Sequence, residues 1–197
     1  MTSRICWGAL GLFAQVSLVA CARERTTTSP LEIRTPLFAV AGDANNLGTH
    51  LAGENEVPPR DTRAQGEAIF RISDDGSSVD YKLIASNIDN AFMSHIHVAP
   101  PGVNGPIVVW LYPSTAPVPG PAGSGRHDGV LAEGTFTAAN LVGPLKNKPL
   151  SVLLDAMRSG NAYVNVHTLD GVNPPNSGPG NFPGGEIRGP LSAPGNR

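Results

Sequence analysis

Residues 64–86, AQGEAIFRISDDGSSVDYKLIAS, read as a β-hairpin. Two runs of alternating apolar character, 64–73 and 77–86, flank the Asp-Asp-Gly of residues 74–76, a composition that favours a tight turn between paired strands. Side chains alternate across a strand, so Val79, Tyr81, Leu83 and Ala85 share one face. The same reading extends outward in both directions.

FMSHIHVA (92–99) and PIVVWLY (106–112) are β-rich runs joined by the Pro/Gly turn PPGVNG, and the second is apolar enough for a central buried strand. VLAEGTFTAANL (130–141) reads as a strand running into a helix start. NAYVNVHTL (161–169) and GEIRGPL (185–191) read as closing strands around the Pro/Gly/Asn-rich loop of residues 170–184. One helix is expected at 149–160, where Leu150, Leu153, Leu154 and Met157 recur at helical spacing and Gly160 stops it. Residues 113–129 hold too few apolar side chains to pack and read as a long loop. LFAVAGDANN (37–46) is open between a first strand and the end of a tether. Seven or eight short strands and one short helix predict an all-β fold, an antiparallel Greek-key β-sandwich or barrel.

A chain of 197 residues leaves room for one ordinary domain with leader and linker. Its 23 glycines and 19 prolines favour turns over long helices, and its net charge of −2 offers no basic stripe for a nucleic-acid partner. Residues 1–20 read as a signal peptide, with Arg4 ahead of an apolar run from Ile5 to Ala20 that is short for a membrane span. The ending LVAC resembles the lipobox of bacterial lipoproteins, which implies lipidation at Cys21 and a membrane contact through that anchor. The alternative is an ordinary cleaved signal, giving a secreted protein. Residues 21–45 then form a flexible tether, 46–192 the β domain and 193–197 a tail. The two cysteines, Cys6 and Cys21, both precede the domain, which therefore has no disulfide and no thiolate ligand.

His95 and His97 point to one face of their strand, with Ile96 and Val98 on the other. In the 161–169 strand, Val164 and Val166 leave Tyr163, Asn165 and His167 opposite them. Three histidines thus face away from the aliphatic core, onto the polar outer surface of the sheet. If their strands are neighbours, three neutral imidazoles make a surface site for copper or zinc. The competing reading makes them sheet residues that bond neighbouring loops. His50 and His127 fall in loop-like contexts and are background.

Glu186 and Arg188 share a face around Ile187, as a salt bridge, as groups that orient a histidine from behind, or as a guide for an anion, with the salt bridge the favoured reading. Glu54 and Glu56 in GENEVPP read as one strand face, solvated or paired with an arginine such as Arg188. No nucleophile triad, phosphate loop, dinucleotide fingerprint or acid/base carboxylate pair is evident, so no catalytic residue is assigned.

The blocks LAGENEVPP, AQGEAIFRISDDGSSVDYKL, SHIHVAPPGVNGPIVVWL, GVLAEGTFTAANL, LLDAMRSGNAYVNVHT and GGEIRGPL, in this order, resemble a CHRD domain, the module named after chordin and also found in bacterial secreted proteins. The resemblance runs from Leu47 to about Leu191 and implies a β-sandwich or immunoglobulin-like module. The histidine pattern is also similar to that of the copper/zinc superoxide dismutases, mapping to His95, His97 and His167 but without a bridging histidine, zinc-loop cluster or disulfide. Three functions remain open. The first is an extracytoplasmic, lipid-anchored, non-enzymatic binding module of the cell envelope with a copper or zinc site. The others are a metal-dependent redox enzyme, and an adhesive domain whose loops meet a protein or glycan partner.

Overall fold

The computed structural model describes residues 45–113 and 117–192, so the expected leader, Cys21 and the 193–197 tail lie outside the described residues. Eight strands form one sheet: β1 (Asn46–Ala52), β2 (Gln65–Ile72), β3 (Ser78–Asp89), β4 (Ala91–Val98), β5 (Ile107–Tyr112), β6 (Arg126–Thr137), β7 (Ala162–Thr168) and β8 (Ile187–Leu191). The α-helix α1 spans Leu150–Arg158.

The hairpin forms as its sequence predicts, with Phe70 opposite Tyr81 and Ile72 opposite Val79. Its turn is tied by Asp75 Oδ1, which accepts from Ser73 Oγ and Ser77 Oγ at 2.7 Å and from the Ser77 amide at 3.0 Å. These short-range bonds replace backbone pairing lost at the turn.

Every strand pairing is antiparallel, and the order is β5-β4-β7-β8-β1-β2-β3-β6. The β3-to-β4 and β6-to-β7 connections skip strands, as in a Greek key. The sheet curls until its two ends nearly meet. Tyr81 OH donates to Leu111 O at 2.7 Å, and the Val142 amide to Val108 O at 2.9 Å, so the open seam is bridged. This is a nearly closed all-β barrel with one short helix, as expected.

Alternation fills the interior. Leu51, Phe70, Leu83, Ile96, Val166 and Ile187, drawn from six strands, are all buried there. Each such side chain contributes about 1.5–3 kcal/mol relative to exposure. The α1 stripe of Leu150, Leu153, Leu154 and Met157 adds to the same core.

Several sequence expectations are corrected. The apolar β5 is not central: it pairs with β4 alone and is buried by the barrel's curl and by the segment after β6. β6 begins at Arg126, inside the expected loop, because Arg126 and Asp128 bond each other at 2.8 Å and reach Asn87 on β3. Instead of a helix start, β6 ends in a short 3₁₀ turn at Ala138–Asn140, capped by Thr137. Glu54 lies in a 3₁₀ turn, Gly53–Asn55, with Glu56 at its end, rather than on a strand. His50 and His127 are strand residues, not loop residues; His50 pairs with Glu67 at 2.8 Å on the surface.

Candidate metal centre

β4 and β7 are direct neighbours, with His97 opposite Tyr163, His95 opposite Asn165 and Met93 opposite His167. Alternation turns Ile96 and Val164 into the core and sends His95, His97, Asn165 and His167 outward. The structure therefore brings the three histidines together on the outer face of the sheet. One ring nitrogen from each lies within 4.8 Å of the other two, so the group could hold a metal ion.

The expected exposure is overturned. His95 is 0% exposed, and His97 and His167 are 6% exposed. The outer face is roofed over here by the loops between β4 and β5 and between β7 and β8, and by aromatic rings. Trp110 meets His95 edge-on at 4.2 Å between centroids, Tyr163 lies parallel to His97 at 4.7 Å, and Phe92 meets His167 edge-on at 6.4 Å.

Burial decides the charge state. Desolvation, then the nearness of His167 and His97, pulls His95 down to about 2. Desolvation pulls His167 down to about 4 against the hydrogen bond to Pro183, and it lowers His97 against the bond to Gly105. The cluster is a set of neutral imidazoles at neutral pH, the form that binds metals.

The two covering loops set the tautomers. His97 Nδ1 donates to Gly105 O and His167 Nδ1 donates to Pro183 O, each at 2.9 Å, which puts the lone pair of both rings on Nε2. His95 Nδ1 lies 3.2 Å from His167 Nε2. Two nitrogens bound to a tetrahedral zinc at about 2.0–2.1 Å would be about 3.3 Å apart, so this pair already spans one edge of such a site. His95 Nε2 and His97 Nε2 are buried without a hydrogen-bond partner. His97 Nε2 is thus a buried ring nitrogen with an unused lone pair, the kind of atom that a metal-binding role would employ.

Glu186 and Arg188 form no ion pair with each other, contrary to the salt-bridge reading. Glu186 Oε1 accepts from Thr62 Oγ1 at 2.6 Å, while its Oε2 accepts from Thr168 Oγ1 at 2.6 Å and the Gly180 amide at 2.8 Å. Thr168 Oγ1 in turn accepts from the Phe182 amide at 3.0 Å, next to the Pro183 carbonyl that orients His167. Arg188 donates to Asn104 Oδ1 at 2.9 Å and Val103 O at 2.7 Å, beside the Gly105 carbonyl that orients His97. Each residue fastens the loop that positions one histidine, and neither touches an imidazole by a hydrogen bond.

Gly105 must be glycine, because a Cβ there would strike Val98 O. That close approach is what seats its carbonyl over His97.

Glu56, expected to be solvated or ion-paired, is 4% exposed. Desolvation raises it to about 7, against the opposing pull of Arg188. Only the prolines that follow Glu56 hint at this burial in the sequence. The two orienting carbonyls are equally silent in sequence, since every residue carries one; only the Pro/Gly content of PPGVNG and NFPGG marks their loops.

Among the described residues no helix is long and apolar enough to cross a membrane. The family model described as CHRD domain matches residues 47–191 of the chain. No curated protein and no solved structure matches it.

Proposed function

The chain belongs to the CHRD domain family, and from the histidine cluster inside that domain we propose a binding module that holds one copper or zinc ion at His95, His97 and His167. The observation that carries this reading is the pairing of fixed tautomers with orphaned nitrogens. A structural histidine uses its polar atoms on the protein, whereas here two rings are tied at Nδ1 and all three converge with neutral nitrogens. Imidazole suits copper and zinc, and three such ligands leave a position for an exchangeable fourth. Glu186 and Arg188 act as outer positioning residues through the loops that they fasten.

The module works outside the cytoplasm, anchored to the cell envelope by lipid on Cys21. Support for the location is the family and the leader-like residues 1–20; support for the anchor is the LVAC sequence. Metabolic labelling with a fatty-acid analogue, lost in Cys21→Ala, tests the anchor.

The metal reading is tested by equilibrium dialysis and calorimetry of the purified chain with Cu(II), Cu(I) and Zn(II), beside His95→Ala and His167→Ala. One ion per chain, lost in folded variants, supports it. No binding to the intact chain overturns it and turns attention to the loops as a protein- or glycan-binding surface.

A further inference from the structure

A cleft on the far side of Tyr163 from His97 holds a second cluster of binding features. It has a volume of about 190 Å³, is lined by Asn55, Pro101, Gly160, Tyr163, Arg188 and Pro190 among others, and adjoins a groove of about 410 Å³ along Pro101, Pro190 and Leu191. Together the two reach the size of small-molecule sites, roughly 300–1,000 Å³.

Arg188 is the charged group of this cleft. It is 4% exposed, and no carboxylate lies within ion-pair distance of it among the described residues. Glu186 spends both oxygens on Thr62, Thr168 and Gly180, and Glu56 feels the guanidinium only from beyond ion-pair range. The partners of the guanidinium are neutral: Asn104 Oδ1, Val103 O, and the Tyr163 ring, whose centroid is 3.3 Å from Cζ. Asn104 and Val103 take two of the five N–H donors that an arginine carries. A buried cation with only neutral partners is costly, and an anion beside it removes that cost.

We propose that this cleft binds a small organic carboxylate, its charged end on Arg188 and its apolar body along Pro101, Pro190 and Leu191. The arginine fork matches a planar carboxylate, Arg188 is the one arginine or lysine in the lining, and His50 at the groove is already paired with Glu67, which suits a single negative charge better than a phosphate dianion. The proposal does not require the metal reading, because none of its groups is one of the three histidines, although Arg188 also fastens the loop that orients His97.

The test is calorimetry and amide chemical-shift titration of the full chain with benzoate, acetate and inorganic phosphate. Benzoate is expected to saturate one site with Kd of about 1 mM or tighter. Acetate, which lacks the apolar body, and phosphate are expected to bind at least about ten-fold more weakly. Arg188→Lys keeps the charge but loses the fork, and should weaken benzoate about ten-fold. Asn55→Asp loses the bond from Asn55 Nδ2 to the Arg188 carbonyl but keeps the guanidinium's own partners Asn104 and Val103, sets a competing carboxylate in the cleft, and should abolish binding even if Arg188→Lys fails to fold. Absence of saturable benzoate binding overturns the proposal, as does binding unchanged in folded Asn55→Asp. Phosphate binding as tight as benzoate overturns the assigned ligand class.

Discussion

His95 Nδ1 and His167 Nε2 face each other at 3.2 Å across the β4–β7 ladder. Without an ion, one of these nitrogens must carry a proton for the other, since two lone pairs at that distance repel. His167 donates from Nδ1 to Pro183 O, so His95 Nδ1 carries that proton, and for this nitrogen to serve an ion the proton would move to His95 Nε2. Binding therefore replaces a hydrogen bond by two coordinate bonds and changes the surroundings of the neighbouring aromatic ring.

That ring is Trp110, whose centroid lies 4.2 Å from that of His95. The second tryptophan of the chain, Trp7, falls within the expected leader. In the processed protein, Cu(II) titration should quench tryptophan emission to a plateau at one equivalent, while Zn(II) shifts it without strong quenching. Emission that stays constant while dialysis reports bound copper would place the ion away from His95.

The ion-free protein should lose stability in acid. His95, His97 and His167 have folded-state values held below the ordinary 6.5 by burial, so their contribution is fully present above pH 6.5. As pH falls below 6.5 the unfolded chain takes up protons that the folded chain refuses, and stability drops by about 1.4 kcal/mol per pH unit for each net proton. Glu56 works in the opposite sense: raised from 4.5 to about 7, it costs stability as pH rises through that window. Three histidines outweigh one carboxyl between pH 4.5 and 6.5. Urea unfolding across pH 4.5–8 should give rising stability with pH up to about 6.5, and Glu56→Gln should steepen that rise.

Glu186→Gln should weaken metal binding without removing a ligand. The amide cannot accept at both ends, so one of the bonds from Thr62, Thr168 and Gly180 is lost and the loop bearing Pro183 loosens. Losing a partner of this kind costs about 1–3 kcal/mol of stability, and disturbing outer-shell support lowers metal affinity by roughly 10–100-fold. Calorimetry and thermal unfolding of the same variant check both. An unchanged affinity in a destabilised protein would confine Glu186 to folding.

Gly105→Ala should perturb His97 alone. A Cβ there meets Val98 O and the Ala99 side chain, so the loop must lift and carry the Gly105 carbonyl away from His97 Nδ1. Nitrogen-detected imidazole spectra should report a changed tautomer at His97 and an unchanged one at His167. A preserved His97 signal would mean that the loop absorbs the methyl without moving the carbonyl.

What the sequence by itself determined is local and periodic. A period of two assigned the hairpin, the aliphatic interior and the shared outward face of His95, His97 and His167, and the 3.6-residue stripe assigned α1, because each depends on neighbours a few residues away. The boundaries of β6 escaped that logic: Arg126, Asp128 and their glycine-rich surroundings look like loop until Asn87 is brought beside them. Only the tertiary structure decided that the outward face is buried, because the roof comes from loops whose sequence says nothing of where they fold. The same holds for the charges. Glu186, just ahead of β8, and Arg188 on β8 stand two residues apart, yet their partners Thr62 and Asn104 are 124 and 84 residues away, so the expected salt bridge gave way to two separate loop clamps.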